Sequence, residues 1–483
     1  MLTLLLLAIP LLAAGLLFVS GVKNARNIAL GAGIIELLVC IAAFVMHHQG
    51  NSESMLFFNK EWIGPLGLSY SFGLDGISLV MALLVSLLLP IIIYASSNRT
   101  YKHPHVFYGL MLTMAASMMG AFTTTDGLLF YVFYEFALIP IYFMILHWSE
   151  HPNKSKITLK FFIYTLFGSL FMLVSLLYLY NVSGSFQMNA LYEAGRSLSG
   201  AEQGWVFAGF FIAFAVKIPV FPFHSWQPST YDAAPTAGTM LLAGIMLKMA
   251  SYGMIRLVIP ALPTGVADYG TWALALSAIS VLYASGMAIV QQRYKLLIAW
   301  SSIAHLGVLS AGILSSNAQG IQGGIMEMLS HGILSVALFF VYDILETRLN
   351  HDDMNKMGGI REVNPLFAFL FFTVVMGSVA LPLTSGFVGE FLLLLGFYQV
   401  SPWLTAVAGL TVVLGAVYML RAFQRMMLGS APVSMQSFAP LSTHEKTVLT
   451  ILVALIIVLG IYPDPILSVA NPSVETLLQG LNR

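Results

Sequence analysis

Four charged residues lie near the middle of apolar stretches that would cross a membrane as helices, and two histidines occupy similar positions. The set comprises Glu135, Lys217, Lys248, His305, His331 and Glu390. A charge at the centre of a membrane helix costs roughly 2.5–3.5 kcal/mol on insertion scales, so four unpaired charges would cost ~12 kcal/mol. Carboxylates, lysines and histidines can exchange protons near neutral pH when burial or a neighbouring charge changes. The residue types therefore predict a proton relay; structural ion pairs are the alternative, and for His331 a plain helix contact.

Four further polar residues carry weaker signals. Glu327 precedes His331 by four residues, so the two could touch on one helix face. Glu36 and Asp75 lie near span ends or toward one face, where capping or interface contacts are the commoner roles. His224 follows a proline-rich interruption.

His224 has two open interpretations, because it could link Lys217 to Lys248 or cap the interruption that precedes it. Metal or haem ligation by His224, His305 and His331 is chemically conceivable, but no haem-helix spacing is present. The sequence therefore predicts no metal site.

The composition indicates an integral membrane protein. Apolar residues make up 58% of the 483 residues and charged residues 9%, whereas soluble proteins carry about 25% charged residues. The first apolar stretch is expected to be a retained helix, since no basic residue precedes Lys23. We predict an all-α fold of about fourteen transmembrane helices, at 2–20, 27–46, 73–95, 106–123, 127–146, 157–180, 204–223, 236–259, 271–290, 296–314, 322–343, 366–398, 402–424 and 446–462.

Several function classes are excluded by simple counts. Lys plus Arg equals Asp plus Glu at 21 each, so there is no basic footprint for a nucleic acid. The single cysteine, Cys40, cannot form an internal disulfide or hold an iron–sulfur cluster. No nucleotide-binding glycine motif is present. The sequence therefore predicts a chain without a cofactor of its own.

The distribution of basic residues predicts the orientation. Fifteen Lys and Arg residues fall on the side reached after odd-numbered spans, including Lys23, Lys356 and Arg425. The other side has four, namely Lys60, Arg196, Arg256 and Arg483. By the positive-inside rule both termini should face outward, away from the cytoplasm.

Matching offsets indicate an internal repeat within a single membrane domain, 1–483. Glu135 lies 82 residues before Lys217, and His305 lies 85 residues before Glu390. Prolines interrupt the seventh span at Pro219 and the twelfth at Pro382, which predicts discontinuous helices there. We predict three N-terminal helices in 1–105, two inverted five-helix repeats in 106–259 and 271–424, and a last helix at 446–462.

Five segments resemble the antiporter-like subunits of respiratory complex I, NADH:quinone oxidoreductase, in order along most of the chain. They are "FGLDGISL" (72–79), "FYVFYEFALIP" (130–140), "KIPVFPFHSWQPSTYDAAPTAGTMLLAGIMLKMASYGMIR" (217–256), "LIAWSSIAHLG" (297–307) and "LSHGILSVALFF" (329–340). Glutamate in "SGFVGEF" (385–391) resembles the M type, because the L and N types and most Mrp subunits are expected to carry lysine there. Departures at Arg293 and in "YDILETRLNHDD" put loop contacts on the basic side in doubt.

The resemblance implies a proton-translocating subunit in a bacterial inner membrane, beside L- and N-type subunits and lipids. It implies that Glu135 pairs with Lys217, that Lys248 is the central lysine, and that His305 or His331 bridges to Glu390. FMN, iron–sulfur clusters and quinone would belong to other subunits. The alternatives are a subunit of an Mrp-type cation/proton antiporter or membrane-bound hydrogenase, and a passive scaffold subunit.

Overall fold

The computed structural model describes residues 2–21, 24–48, 56–64, 67–431 and 438–480. Lys23 and Arg483, two of the basic residues used for the orientation, lie outside this part. Within it, twelve helices are long and apolar enough to cross a membrane. The predicted all-α membrane fold is confirmed.

The helices follow the predicted spans closely in the first half of the chain. They are α1 Leu2–Ser20, α2 Ala25–His48, α3 Gly76–Ala95, α4 Pro104–Thr123, α5 Gly127–Phe136, α6 Leu138–Trp148, α7 Lys154–Ser183, α8 Met188–Ser197, α9 Gly200–Lys217 and α10 Gln227–Ala233. The second half begins with one long irregular helix. The remaining helices are α11 Thr236–Ala261, α12 Pro263–Val290, α13 Tyr294–Leu314, α14 Ala318–Leu349, α15 Ile360–Val363, α16 Pro365–Ser378, α17 Ser385–Val400, α18 Pro402–Met427, α19 Thr443–Ile461 and α20 Asp464–Gln479.

The count of fourteen spans, the repeats and their boundaries stay predictions. Helix α9 occupies the predicted span 204–223, and α16 with α17 occupies 366–398. None of these three helices is among the twelve long ones, because α9 is less apolar, and α16 and α17 have only 14 and 16 residues.

Several short elements lie outside the predicted spans. Strands β1 (Phe57–Ile63) and β2 (Leu68–Gly73) pair antiparallel, with Phe57 opposite Gly73. The others are helices α8, α10, α15 and α20. All of them are too short to span a membrane, so a search for long apolar stretches does not detect them.

The two predicted helix breaks are confirmed. Helix α9 ends at Lys217, and the chain passes through Pro219 and Pro222 in non-helical turns before α10 begins. Helix α16 ends at Ser378 and α17 begins at Ser385. A neighbouring helix covers the second break closely, since a Cβ atom at Gly460 of α19 would overlap the backbone of Thr384.

Two further irregularities lie beside candidate residues. The fifth span is interrupted at Ala137, two residues after Glu135, so that α5 and α6 are separate helices. Helix α11 contains π-helical turns at Leu242–Met246 and Met254–Val258, on either side of Lys248. Single π turns inside α-helices are frequent at functional sites.

The centre of the molecule is formed by the helices that carry Lys248 and His331, α11 and α14. The apolar window of α14 is 100% buried, and that of α11 is 94% buried. The corresponding windows of α1 and α19 are only 28% buried. Apolar faces of the outer helices are therefore available to lipid or to other subunits, whereas α11 and α14 are enclosed by protein.

Candidate functional site

Lys217 lies at the end of α9, where the proline-rich break begins. Its side chain is buried, and its Nζ donates a hydrogen bond of 2.8 Å to the backbone carbonyl of Tyr134. The same Nζ lies 3.3 Å from the centroid of the Tyr134 ring. Carbonyls in the last turn of a helix lack intrahelical donors, so the end of α5 provides an acceptor for this lysine.

Glu135 does not touch Lys217 directly. No ion pair joins these two described side chains, and Glu135 Oε1 is buried without a hydrogen-bond partner. Glu135 is nonetheless the charged neighbour that acts on Lys217, and Ser169 lies beside the carboxylate. The pairing of Glu135 with Lys217 stays a prediction.

Lys248 is fully buried between the two π turns of α11. Its Nζ contacts the carbonyl oxygen of Ala243 and lies 2.8 Å from Nδ1 of His331 on α14. The two lysines remain separate, since no polar contact among the described residues joins Lys217 to Lys248.

His331 connects Lys248 to the serine side chains around it. Its Nε2 lies 3.2 Å from Ser302 Oγ, and its Nδ1 lies 3.2 Å from Ser335 Oγ. When Lys248 is charged, Nδ1 of a neutral His331 must accept from the ammonium group, so Nε2 carries the hydrogen and donates to Ser302. Loss of a proton by Lys248 would allow the opposite arrangement.

Of the two histidines that the sequence offered as partners of Glu390, His305 is the one whose side chain contacts it. Its Nδ1 lies 2.5 Å from Glu390 Oε1, and both side chains are buried. An imidazole in contact with a carboxyl group can form a charge-assisted hydrogen bond when the imidazole carries the proton. The rings of His305 and His331 are 6.1 Å apart between centroids, so the cluster continues from Lys248 to Glu390.

Glu327 belongs to the same cluster, although its position in the sequence was only a weak signal. His305, Glu327 and Glu390 each contribute one ring nitrogen or carboxyl oxygen to a group of three atoms that all lie within 4.8 Å of one another. A cavity of about 20 Å³ is lined by these side chains and by His331 and Ser302. A space of that size can hold one water molecule.

The same three groups form the one set of described residues that could hold a metal ion. Two of the three groups, His305 and Glu390, already contact each other directly. The expectation that the chain holds no metal stays a prediction.

His224 lies apart from the cluster. Its ring packs against Phe221, Tyr283 and Trp300, with centroid distances of 5.6, 5.0 and 5.5 Å. Its Nδ1 is buried without a partner. Neither lysine contacts it in the described structure, so a direct link between them is not present.

Asp75 acts as a helix cap, as its position predicted. It accepts a hydrogen bond of 2.9 Å from the backbone of Ser78, and Ser78 completes a capping box at the start of α3. Burial raises the pKa of Asp75, but the ion pair with Arg256 and the bonds from Ser78 lower it further, so the net shift is downward. The pair borders a cavity of about 850 Å³.

The two remaining residues have clear positions. Arg293, which departs from the pattern of the resembling family, forms ion pairs of 2.7 Å with Asp232 and 2.9 Å with Asp352. These two acids balance its positive charge. Glu36 lies in the middle of α2 and is fully buried, and neither carboxylate oxygen has a hydrogen-bond partner. It therefore does not cap a helix end.

Comparison with known proteins gives a consistent assignment. The family described as "NADH:quinone oxidoreductase/Mrp antiporter, TM" matches residues 124–415. NADH-quinone oxidoreductase subunit M of Rickettsia conorii is 37% identical over 470 residues, covering 96% of this chain and 95% of the relative. The subunit M of Rhodobacter capsulatus is 35% identical over 492 residues, covering 98% and 95%.

Solved structures agree with this result. A chain of respiratory complex I from Thermus thermophilus matches with a TM-score of 0.90 and 29% identity, covering 100% of both chains. A chain of the Mrp complex from Dietzia sp. matches with a TM-score of 0.87, but at 21% identity it supports the fold alone. With the family match over more than half of its length and relatives above 30% identity along nearly all of it, the chain belongs to the NADH:quinone oxidoreductase/Mrp antiporter family of transmembrane proteins.

Proposed function

We propose that this chain is a proton-translocating, non-redox membrane subunit of an NADH:quinone oxidoreductase. The observation that carries the proposal is a buried row of polar groups that ends at Glu390. Lys248 contacts His331, the rings of His331 and His305 lie 6.1 Å apart, and His305 contacts Glu390. A series of this kind costs stability in a membrane protein, so its presence is best explained by proton movement. The relatives named as subunits of NADH-quinone oxidoreductase support the choice of complex.

In the proposed reaction Glu135 and Lys217 form the entry half. Closing the gap between them stabilises the charged lysine, and opening it favours release of the proton toward Lys248. Because no described polar group bridges the two lysines, this step requires water. Lys248 then passes a proton to His331, and the cluster delivers it to Glu390.

The exit half uses the two histidines in turn. A proton arriving on Nδ1 of His331 displaces the one on Nε2 toward Ser302 and the cavity water. His305 accepts it at Nε2 and gives up the proton on Nδ1 to Glu390 Oε1, which is 2.5 Å away. Each transfer moves one proton and restores the charge of the donor.

The surroundings of the chain follow from the same proposal. FMN, iron–sulfur clusters and quinone would be held by other subunits, and L- and N-type subunits would be its neighbours. The membrane would be a bacterial inner membrane with both termini outward. The family also contains Mrp antiporters, so exchange of a cation for protons is the second candidate, and the scaffold alternative predicts no effect of the buried charges.

A graded series at Glu390 tests the proposal. In the assembled complex, reconstituted in sealed vesicles, Glu390→Asp should be mild, Glu390→Lys partly active, and Glu390→Ala or Glu390→Gln severely impaired in proton transport relative to NADH oxidation. An acid or a lysine can still exchange a proton, whereas alanine and glutamine cannot. Normal transport by Glu390→Ala at normal assembly would reject the exit role, and transport that depends on added sodium would favour the antiporter.

A further inference from the structure

We propose that Glu327 and Glu390 form a carboxyl pair that holds one proton between them, and that Glu327 is a second proton carrier in the outward step. The inference rests on the proposed function and extends it. It adds a residue to the relay and replaces a single exit carboxylate with a pair.

Both carboxyl groups have a free atom that faces the same small space. Glu327 Oε2, Glu390 Oε2 and His305 Nε2 are buried and have no hydrogen-bond partner among the described residues. Glu327 and Glu390 are each 3% exposed. An unpartnered buried carboxylate is costly, whereas a proton or a water molecule in the cavity of about 20 Å³ would satisfy both groups.

The approach of the two carboxyl groups depends on a glycine. Gly389 precedes Glu390 on α17, and a Cβ atom there would lie 2.5 Å from Glu327 Oε2 and 2.9 Å from Glu327 Cα. A larger residue would therefore push the Glu327 side chain away from α17. The helix surface is shaped to admit this carboxyl group next to Glu390.

Two carboxyl groups this close in a buried site cannot both be ionised, because their repulsion is not screened by water. The groups that face Glu327 are Lys248 of α11, His305 of α13, Glu390 of α17 and, on its own helix, His331. Tyr418 of α18 lies beside Glu390. Helix α16 contributes Gly377 and Ser378 to the lining of the cavity, and neither residue carries a charge.

The position of Glu327 also gives a direction. Helix α14 runs from Ala318 to Leu349, and Arg348 marks its end on the side of the basic loops. Glu327 therefore lies about 6 Å farther from that side than His331, at 1.5 Å per residue. Once Glu327 has released its proton outward, the proton that His305 Nδ1 has given to Glu390 moves to the Glu327 carboxylate and leaves Glu390 ionised to receive the next one.

The test is the pH profile of proton transport by the assembled complex in sealed vesicles. Glu327→Gln removes one of the two carboxyl groups and with it their mutual repulsion, so the acid limb of the profile should move to lower pH by about one to two units. Glu327→Asp should restore most of the parental profile. Glu36→Gln is the matched control, because Glu36 is another buried, unpartnered carboxyl group outside the cluster.

The outcomes separate this inference from the function on which it rests. A parental profile in Glu327→Gln, together with loss of transport in Glu390→Ala, would overturn the carboxyl pair and leave the proposed function intact. Normal transport in both variants would overturn both. If Glu327→Gln does not assemble, Gly389→Ala keeps both acids and should shift the profile in the same direction; a parental profile there would refute the pair.

Discussion

Replacing His331 with leucine should interrupt the relay at its most connected residue. His331 provides one of the two contacts of Lys248 Nζ, at 2.8 Å, and the other is the Ala243 carbonyl. A hydrogen bond to a charged group contributes about 1.5–3 kcal/mol. At 1.36 kcal/mol per factor of ten, we expect proton transfer beyond Lys248 to slow by about 10- to 150-fold.

The assay compares proton transport with NADH oxidation in the reconstituted complex, after assembly has been checked on native gels. Ser335→Ala is the graded control, because it removes one contact of 3.2 Å to His331 and leaves the histidine in place. Its effect should stay below about tenfold, since a neutral hydrogen bond contributes about 0.5–1.5 kcal/mol. Transport by assembled His331→Leu within about twofold of the parent would refute the reasoning.

Four further predictions test other parts of the interpretation. Glu135→Gln should leave assembly intact and strongly reduce transport and coupled quinone reduction, and full transport would reject its role as a switch for the entry lysine. His224→Leu should keep transport near the parental level, because the ring packs among aromatic residues away from the cluster. A loss of transport as large as that of His331→Leu would instead support His224 as a link between the two lysines. Cysteines introduced at the exposed positions Lys356 and Glu475 should react with impermeant reagents from opposite sides of the membrane. The native Cys40 is buried and should not react. Labelling of both positions from the same side would contradict the topology. The purified chain should show no stoichiometric haem, flavin or iron–sulfur absorption, and a bound chromophore would overturn the view that redox chemistry occurs in other subunits.

The parts of the fold that sequence reasoning predicted are those with a local cause. Pro219 and Pro382 remove backbone donors, so the breaks beside Lys217 and before Glu390 could be predicted from single residues. Long apolar stretches likewise indicate helices without knowledge of their neighbours. The expected function, a subunit of complex I, came from the family resemblance.

The features that could not be predicted depend on contacts between distant segments. The spacing of Glu327 and His331 suggested a contact on one helix, but the approach of Glu327 to Glu390 depends on Gly389 of another helix. The choice of His305 as the partner of Glu390 required the relative rotation of α13 and α14. The π turns of α11 have no simple sequence signal, and the paired strands β1 and β2 are too short for a search based on apolar length.

The break between α16 and α17 also determines the order in which the chain can mature. These helices have 14 and 16 residues, about 21 and 24 Å, so neither alone spans a hydrocarbon layer of about 30 Å. The backbone between them would leave polar groups facing lipid at a cost of several kcal/mol. Its cover includes Gly460 of α19, a helix that is synthesised later. We therefore expect the twelfth span to reach its final form only after α19 has entered the membrane, and a nascent chain that stops before α19 to be cleaved more readily by proteases at this segment.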